Sequence, residues 1–271
     1  MQAFIPSAPT LSLSPSRSLL SSFKTCTTFS PQAPARRRRP LTMTASAPPP
    51  LEDGMILFAK AGPGGKVMGD CPFTWKANLA LRFKNTDFNT FYIDLANKPG
   101  WFLDLNENGS TPTFVDGPHA IGDSDEIVDY ADKVGRKENL ILTREDDPNW
   151  DAAFDAVSPV FGSFIRFVKN KEPDNEPKVK AELTEALRGV NKFLAQGKGP
   201  FLLGETISAL DCNLAPKLQH ISVAAGHYKG YRIPPDCSDL QAFLERMRAT
   251  EEWKASACTD DVIVWGWSKF F

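Results

Sequence analysis

From Met55 onward, short apolar runs are separated by polar breaks, and the pattern changes character near Gly135. Met55–Lys60 (MILFAK) is a compact apolar run of strand length, and Gly62-Pro63-Gly64-Gly65 breaks it. From Cys71 to about Lys84, Trp75, Leu79 and Phe83 recur every four residues with Ala80 beside them. That spacing predicts a helix with one buried stripe. Thr90–Leu95 and Thr111–Gly117 read as two further strands, with a short fourth around His119–Ile121. Asp123-Ser124-Asp125-Glu126 precedes Ile127, Tyr130, Ala131 and Val134. Acidic groups ahead of an apolar stripe suit the positive end of a helix dipole. The order β-α-β, then β-β-α, predicts a small α/β unit with a mixed sheet over residues 51–135.

Beyond Gly135 the strand signals disappear, and residues 136–271 read as all-helical. Trp150–Val168 is apolar at helical spacing. Val179, Leu183, Leu187, Val190 and Leu194 form a second stripe, with Gly197 where a C′ glycine would stop it. Lys171–Lys178 reads as an exposed loop between the two. Ser208-Ala-Leu-Asp211 is a capping box opening a helix that carries Leu210, Leu214, Leu218 and Ile221. Pro216 inside it should bend it. Leu240–Met247 and Asp261–Trp267 read as two more helices.

Charge changes the picture only at the start of the chain. The formal net charge of −2 gives no general case for nucleic acid or an anionic membrane. Residues 1–50, however, hold six basic and no acidic residues, with nine Ser, six Thr and nine Pro. This Ser-rich, Arg-bearing, acid-free leader predicts an organelle transit peptide, and its hydroxyl and proline content favours the plastid, hence the chloroplast stroma. Cys26, Cys71, Cys212, Cys237 and Cys258 contain no CxxC pair, so neither a zinc finger nor a disulfide scaffold is read, and no metal ligands are assigned. Cys212 reads as a core residue, Cys237 and Cys258 as exposed and oxidisable. No run approaches the length of an apolar membrane span.

The chemistry is expected at Gly69-Asp70-Cys71-Pro72-Phe73-Thr74. A cysteine stands at the amino end of a helix, directly after a loop, and Pro72 takes the first helical position, where a missing N–H costs nothing. Free amides and the helix dipole favour a thiolate there, so Cys71 is read as a nucleophile. A buried, inert capping cysteine is the competing reading. Position 74 is Thr, so no disulfide can form within the motif. An oxidised Cys71 must then be resolved by an outside thiol, and glutathione is the obvious small one. Lys60, ending the first strand, can hold charge near that sulfur. A cis bond at Thr111-Pro112 would turn the Thr111 N–H and C=O toward an extended peptide, although trans is the commoner state. Asp123-Ser124 at a helix start suits a carboxylate or serves simply as a cap. Lys98 could pair with another carboxylate.

Together these residues resemble the plant and algal dehydroascorbate reductases, a branch of the glutathione transferase superfamily. GDCPF (Gly69–Phe73) matches their active-site motif, and Asn97–Phe114 resembles their NKPxWFLxxxPxGxxP segment. GDSDEI (Gly122–Ile127), Gly199–His220 and GHYKGY (Gly226–Tyr231) resemble further family segments, so the likeness spans residues 55–267. It implies a thioredoxin-like N-terminal domain, an all-helical C-terminal domain, and Cys71 as redox nucleophile with Asp70 beside it. It implies glutathione as co-substrate rather than any tightly bound cofactor, held by Lys60, Lys98, Thr111, Pro112, Asp123 and Ser124. Lys60, Asp70, Phe73, His220 and His227 would meet dehydroascorbate. The chain is read as a monomer with no nucleic-acid or membrane partner. An omega-type thiol transferase uses the same cysteine and is the alternative. A chloride-channel-like redox protein is disfavoured because Lys76, Asn78, Arg82 and Lys84 stud the first helix. Thr74, Trp75-Lys76 and Glu107-Asn108-Gly109 depart from the family pattern, the first leaving a monothiol mechanism intact.

Overall fold

The computed structural model describes residues 48–49, 54–136, 143–197 and 199–271, so nearly all of the leader lies outside the described residues. Met55–Lys60 forms β1 and Phe88–Ile93 forms β2, paired in parallel with Met55 opposite Phe88. Thr113–Asp116 (β3) runs antiparallel to β1 with Leu57 opposite Phe114, and His119–Ile121 (β4) closes the sheet in the order β2-β1-β3-β4. Helix α1 (Pro72–Phe83) links β1 to β2, α2 (Gly100–Leu105) precedes β3, and α3 (Ser124–Val134) follows β4. Alternate residues of β1 go to opposite faces, as a strand requires. Ile56 and Phe58 pack with Phe91, Phe102 and Val115 beneath α2, whereas Leu57 packs with Ala77, Leu81, Phe114 and Ile127 beneath α1 and α3. Both faces are covered, which explains the uninterrupted apolar run in β1.

The helical part pairs α4 (Trp150–Lys169) with α5 (Glu176–Gln196). The expected loop Lys171–Lys178 is shorter than read: a 3-10 turn covers Pro173–Asn175 and α5 already begins at Glu176, with Pro177 in its first turn, where it gives up no hydrogen bond. Gly197 does follow α5, but at φ −69° and ψ 161°, so the helix ends in extended backbone rather than a left-handed glycine cap. The capping box opens α6 (Ala209–His220), which runs through Pro216 and loosens one turn later into a π turn at Ile221–Ala225. A short α7 (Gly226–Lys229) ends at Gly230, φ +58°, and α8 (Ser238–Ala249), α9 (Glu251–Ser256) and α10 (Asp260–Trp267) complete the chain. No helix of the described residues is long and apolar enough to cross a membrane.

The two parts share one core. Trp75, Leu79, Ala80 and Phe83 of α1 pack with residues of α4, α6, α9 and α10. The polar residues that stud this helix are mostly covered: Lys76, Asn78 and Lys84 are buried. Lys76 pairs with Asp125 and Lys84 with Asp132, both on α3. A correction concerns the cysteines. Cys212 is in the core as expected, but Cys237 and Cys258 are buried too. Burial pushes the Cys258 thiol up to about 12, the opposite of an oxidisable surface thiol.

Candidate active site

The site begins where β1 ends. After Lys60 the chain loops out and returns, so that the Gly69 amide donates to the Lys60 carbonyl at 2.7 Å. A Cβ at Gly69 would stand 2.7–3.0 Å from the backbone of Ala61 and Lys60, so this return needs glycine. It lays Asp70 back along Lys60, and the carboxylate meets the ammonium at 2.5 Å in a largely buried pair. Cys71 follows as the N-cap of α1 in extended backbone, with Pro72 at the first helical position and no side chain capping the free amides. Cys71 is half-buried, and its sulfur lies 3.7 Å from the Thr111 carbonyl, to which the thiol donates. The Thr111–Pro112 bond is cis.

Around this centre the predicted residues divide. Ser124 is buried in the first turn of α3, and Asp123 caps that helix through its carboxylate, accepting from the amides of Asp125 (2.7 Å) and Glu126 (3.2 Å). The Lys76–Asp125 pair ties the first half of α1, the helix that Cys71 caps, to the start of α3, where Ser124 stands. Lys98 is exposed in the β2–α2 loop and lies over Gly109, where a Cβ would stand 2.9–3.0 Å from its Cδ and Nζ. Phe73 is exposed, its ring edge-on to Phe161 of α4 at 5.6 Å. His220 is fully buried. Its Nδ1 accepts from the Trp267 indole at 2.9 Å, so the ring proton sits on Nε2, which has no partner among the described residues. Burial drives its pKa down to about 4, against the pull of the Asp70 carboxylate and with a smaller push from the Lys60 ammonium. His220 is therefore a neutral donor near the Lys60–Asp70 pair. His227 is exposed and packs on Tyr228, which stacks on the C-terminal Phe271, so its contacts lie in the tail cluster rather than in the Cys71 turn.

The sequence reading missed residues that reach the site from the far end of the chain. Gly266 lies against Asp70 so closely that a Cβ there would fall 2.0–2.2 Å from the carboxylate. Trp265 puts its ring 5.9 Å from the Lys60 ammonium. Lys217 of α6 stands 5.6 Å from the Phe73 ring and 5.4 Å from Phe161, and burial lowers its pKa to about 8. A signal for Lys217 existed: it is one helical turn ahead of His220 on the same face.

A thiol on a helix N-terminus beside a cis-proline, with an all-helical second domain closing over it, defines a glutathione transferase. Residues 70–134 match the glutathione S-transferase N-terminal domain and residues 151–246 the C-terminal domain. The chain is 33% identical over 202 residues to glutathione S-transferase DHAR2 of Arabidopsis thaliana, covering 74% of this chain and 90% of the relative. It is 34% identical over 234 residues to the probable glutathione S-transferase DHAR2, chloroplastic, of Oryza sativa subsp. japonica, covering 86% and 80%. The crystal structure of Chlamydomonas reinhardtii dehydroascorbate reductase superposes with a TM-score of 0.70 at 28% identity, over 81% of this chain and 99% of that one. The chain belongs to the dehydroascorbate reductase branch of the glutathione transferase family.

Proposed function

We propose that the protein reduces dehydroascorbate to ascorbate with glutathione as reductant, through Cys71 alone. The observation that carries this reading is the half-buried Cys71 on a helix N-terminus that its own side chain does not cap, next to the largely buried Lys60–Asp70 pair, in a chain of this family. The cysteine, with one water, reduces dehydroascorbate by two electrons; ascorbate leaves and the sulfur becomes a sulfenic acid. One glutathione condenses with the sulfenic acid, expelling water and leaving a mixed disulfide on Cys71. A second glutathione attacks that disulfide, releasing glutathione disulfide and the thiol. No other described cysteine serves as an internal resolver on this scheme, since Cys212, Cys237 and Cys258 are all buried.

Glutathione is assigned to the face made by Lys98, the Thr111 main chain before Pro112, Asp123 and Ser124. The Ser124 amide and hydroxyl, which the Asp123 cap leaves unpaired at the start of α3, receive its γ-glutamyl carboxylate, and Thr111 pairs with its cysteinyl backbone. Lys60 and Asp70 stand toward the acceptor, with Asp70 placed to pass a proton. We place the protein in the plastid on the composition of residues 1–50, in keeping with the chloroplastic name of the rice relative.

The test is a coupled assay that follows ascorbate absorbance, with the kinetics expected to be ping-pong. Cys71→Ser is expected to abolish turnover, and mass spectrometry of the wild-type enzyme held with oxidant and limiting glutathione should find the adduct on Cys71. Substantial activity in the serine variant would sink the assignment. A kcat/KM higher for a small mixed disulfide than for dehydroascorbate would instead mark an omega-type thiol transferase.

A further inference from the structure

Three consecutive residues of α10 engage Lys60, Asp70 and His220 one after another. Trp265 lays its ring against the Lys60 ammonium at 5.9 Å. Gly266 leaves the space that the Asp70 carboxylate fills. Trp267 donates to His220. The second and third are buried, as packing residues are, but Trp265 is 46% exposed. Hydrophobic burial therefore does not account for an indole at this position.

What Trp265 faces is informative. It borders a cavity of ≈ 500 Å³ at the carboxyl ends of β1 and β2, lined also by Lys60, Asp94, Leu95 and Lys269. Asp94 is occupied within its own loop: its carboxylate accepts from the Ala96 amide and the Asn97 side chain, which hold it below the usual carboxylate range. Ser268, also in the lining, donates its hydroxyl to the Trp265 carbonyl at 2.7 Å, which leaves to a ligand chiefly a flat indole face and two ammonium groups, one of them shared with Asp70. A flat face next to a cation suits a small planar acceptor rich in carbonyl oxygens. It offers little to a flexible aliphatic disulfide.

We propose that Trp265 is the positioning and specificity residue of the acceptor side. Its indole holds the Lys60 ammonium in register with Asp70 and gives a planar oxidised lactone a surface to lie on. The specificity half of this claim rests on the reading of the protein as a dehydroascorbate reductase; the positioning half does not.

Trp265→Ala and Trp265→Phe in the full chain test it. Loss of one cation–π contact at a partly exposed site corresponds to a change of about three- to tenfold. The alanine variant is expected to raise KM for dehydroascorbate by about that factor. Its kcat, its KM for glutathione and its kcat/KM for a mixed disulfide should stay within about twofold of wild type, and the phenylalanine variant should recover most of the loss. Independently of any turnover, removing the indole should speed acylation of Lys60 by an amine-reactive reagent, read by peptide mass spectrometry, by about threefold or more. Unchanged Lys60 labelling overturns the positioning role. A KM for dehydroascorbate within twofold of wild type, or an equal loss on both acceptors, overturns the specificity role. If wild type itself fails to reduce dehydroascorbate, the functional reading falls and with it the specificity role, while the labelling arm still decides the positioning role.

Discussion

A Cβ at Gly266 would stand 2.0–2.2 Å from the carboxylate atoms of Asp70, a residue that is itself buried and held by Lys60. Neither partner has slack, so Gly266→Ala must either push the carboxylate off the ammonium or lift α10 from α1. We expect the variant to lose about 1–3 kcal/mol of stability, the usual cost of overpacking. Its kcat/KM for the acceptor should fall by about tenfold, since displaced site groups are costly to catalysis, with KM for glutathione unchanged. Urea unfolding and steady-state kinetics check both, and wild-type values in both would mean that Asp70 has room the structure does not show. The contrast with Cys71 explains what could be read from sequence. Cys71, Pro72 and Asp70 are adjacent, and the chemistry of a helix N-terminus is local, so six residues announce it. The contact between Asp70 and Gly266 joins opposite ends of the described chain, and a glycine between two tryptophans carries no local mark of what it leaves room for. The same holds for Trp265, whose partner Lys60 lies in the first strand.

Helices of three turns or more were legible because a buried stripe repeats often enough to be seen: α1, α3, α4, α5, α6 and α8 all follow the spacing of their apolar residues. The shortest helices were not, although the three-residue β4 and the eight-residue α10 were. Helix α2 has six residues, α7 four and α9 six, too few turns for a period to emerge, and each is fixed by what it packs on. The capping box of α6 was readable and also yields a prediction. The Ser208 hydroxyl accepts from the Asp211 amide, while the buried Asp211 carboxylate accepts from the amides of Ser208 (2.7 Å) and Leu202 (2.9 Å) and from the Ser208 hydroxyl. Ser208→Ala should cost about 1–2 kcal/mol. The penalty should also depend on pH. Burial already pushes the Asp211 carboxyl up to about 6, above its unfolded value of 3.8, so its ionisation makes stability fall as pH rises from 3.8 through 6. Removing a donor raises that carboxyl further, and the deficit at pH 8 should exceed that at pH 5 in paired urea titrations. An equal deficit at both would mean that the hydroxyl does not support the charge.

At the scale of the whole molecule, an aromatic seam runs through the core that joins the α/β part to the helical part. Trp75 of α1 packs on Trp253 of α9 at 4.3 Å and donates its indole proton to Ser256. The Trp75 and His220 rings lie 6.5 Å apart, and His220 accepts from Trp267. The seam thus places a buried titratable group where the two parts meet, and its protonation is expected to weaken that joint. Burial lowers its pKa from 6.5 to about 4 in the folded chain. Its neutral form is thus favoured by folding: its contribution is fully present above 6.5 and is lost as pH falls toward 4. Between pH 7.5 and 4.5 the linked loss comes to about 2–3 kcal/mol. His220→Gln keeps an acceptor for Trp267 but cannot ionise. It should lower stability at neutral pH yet flatten the acid limb by about that 2–3 kcal/mol. Urea unfolding at the two pH values, followed by tryptophan fluorescence and by far-ultraviolet circular dichroism, reads this directly. Because the seam belongs to both parts, the two probes should shift together in the wild type. If the glutamine variant kept the wild-type acid slope, the proton would be binding elsewhere, and the seam would not be what couples the thiol-bearing part to the helices that close over it.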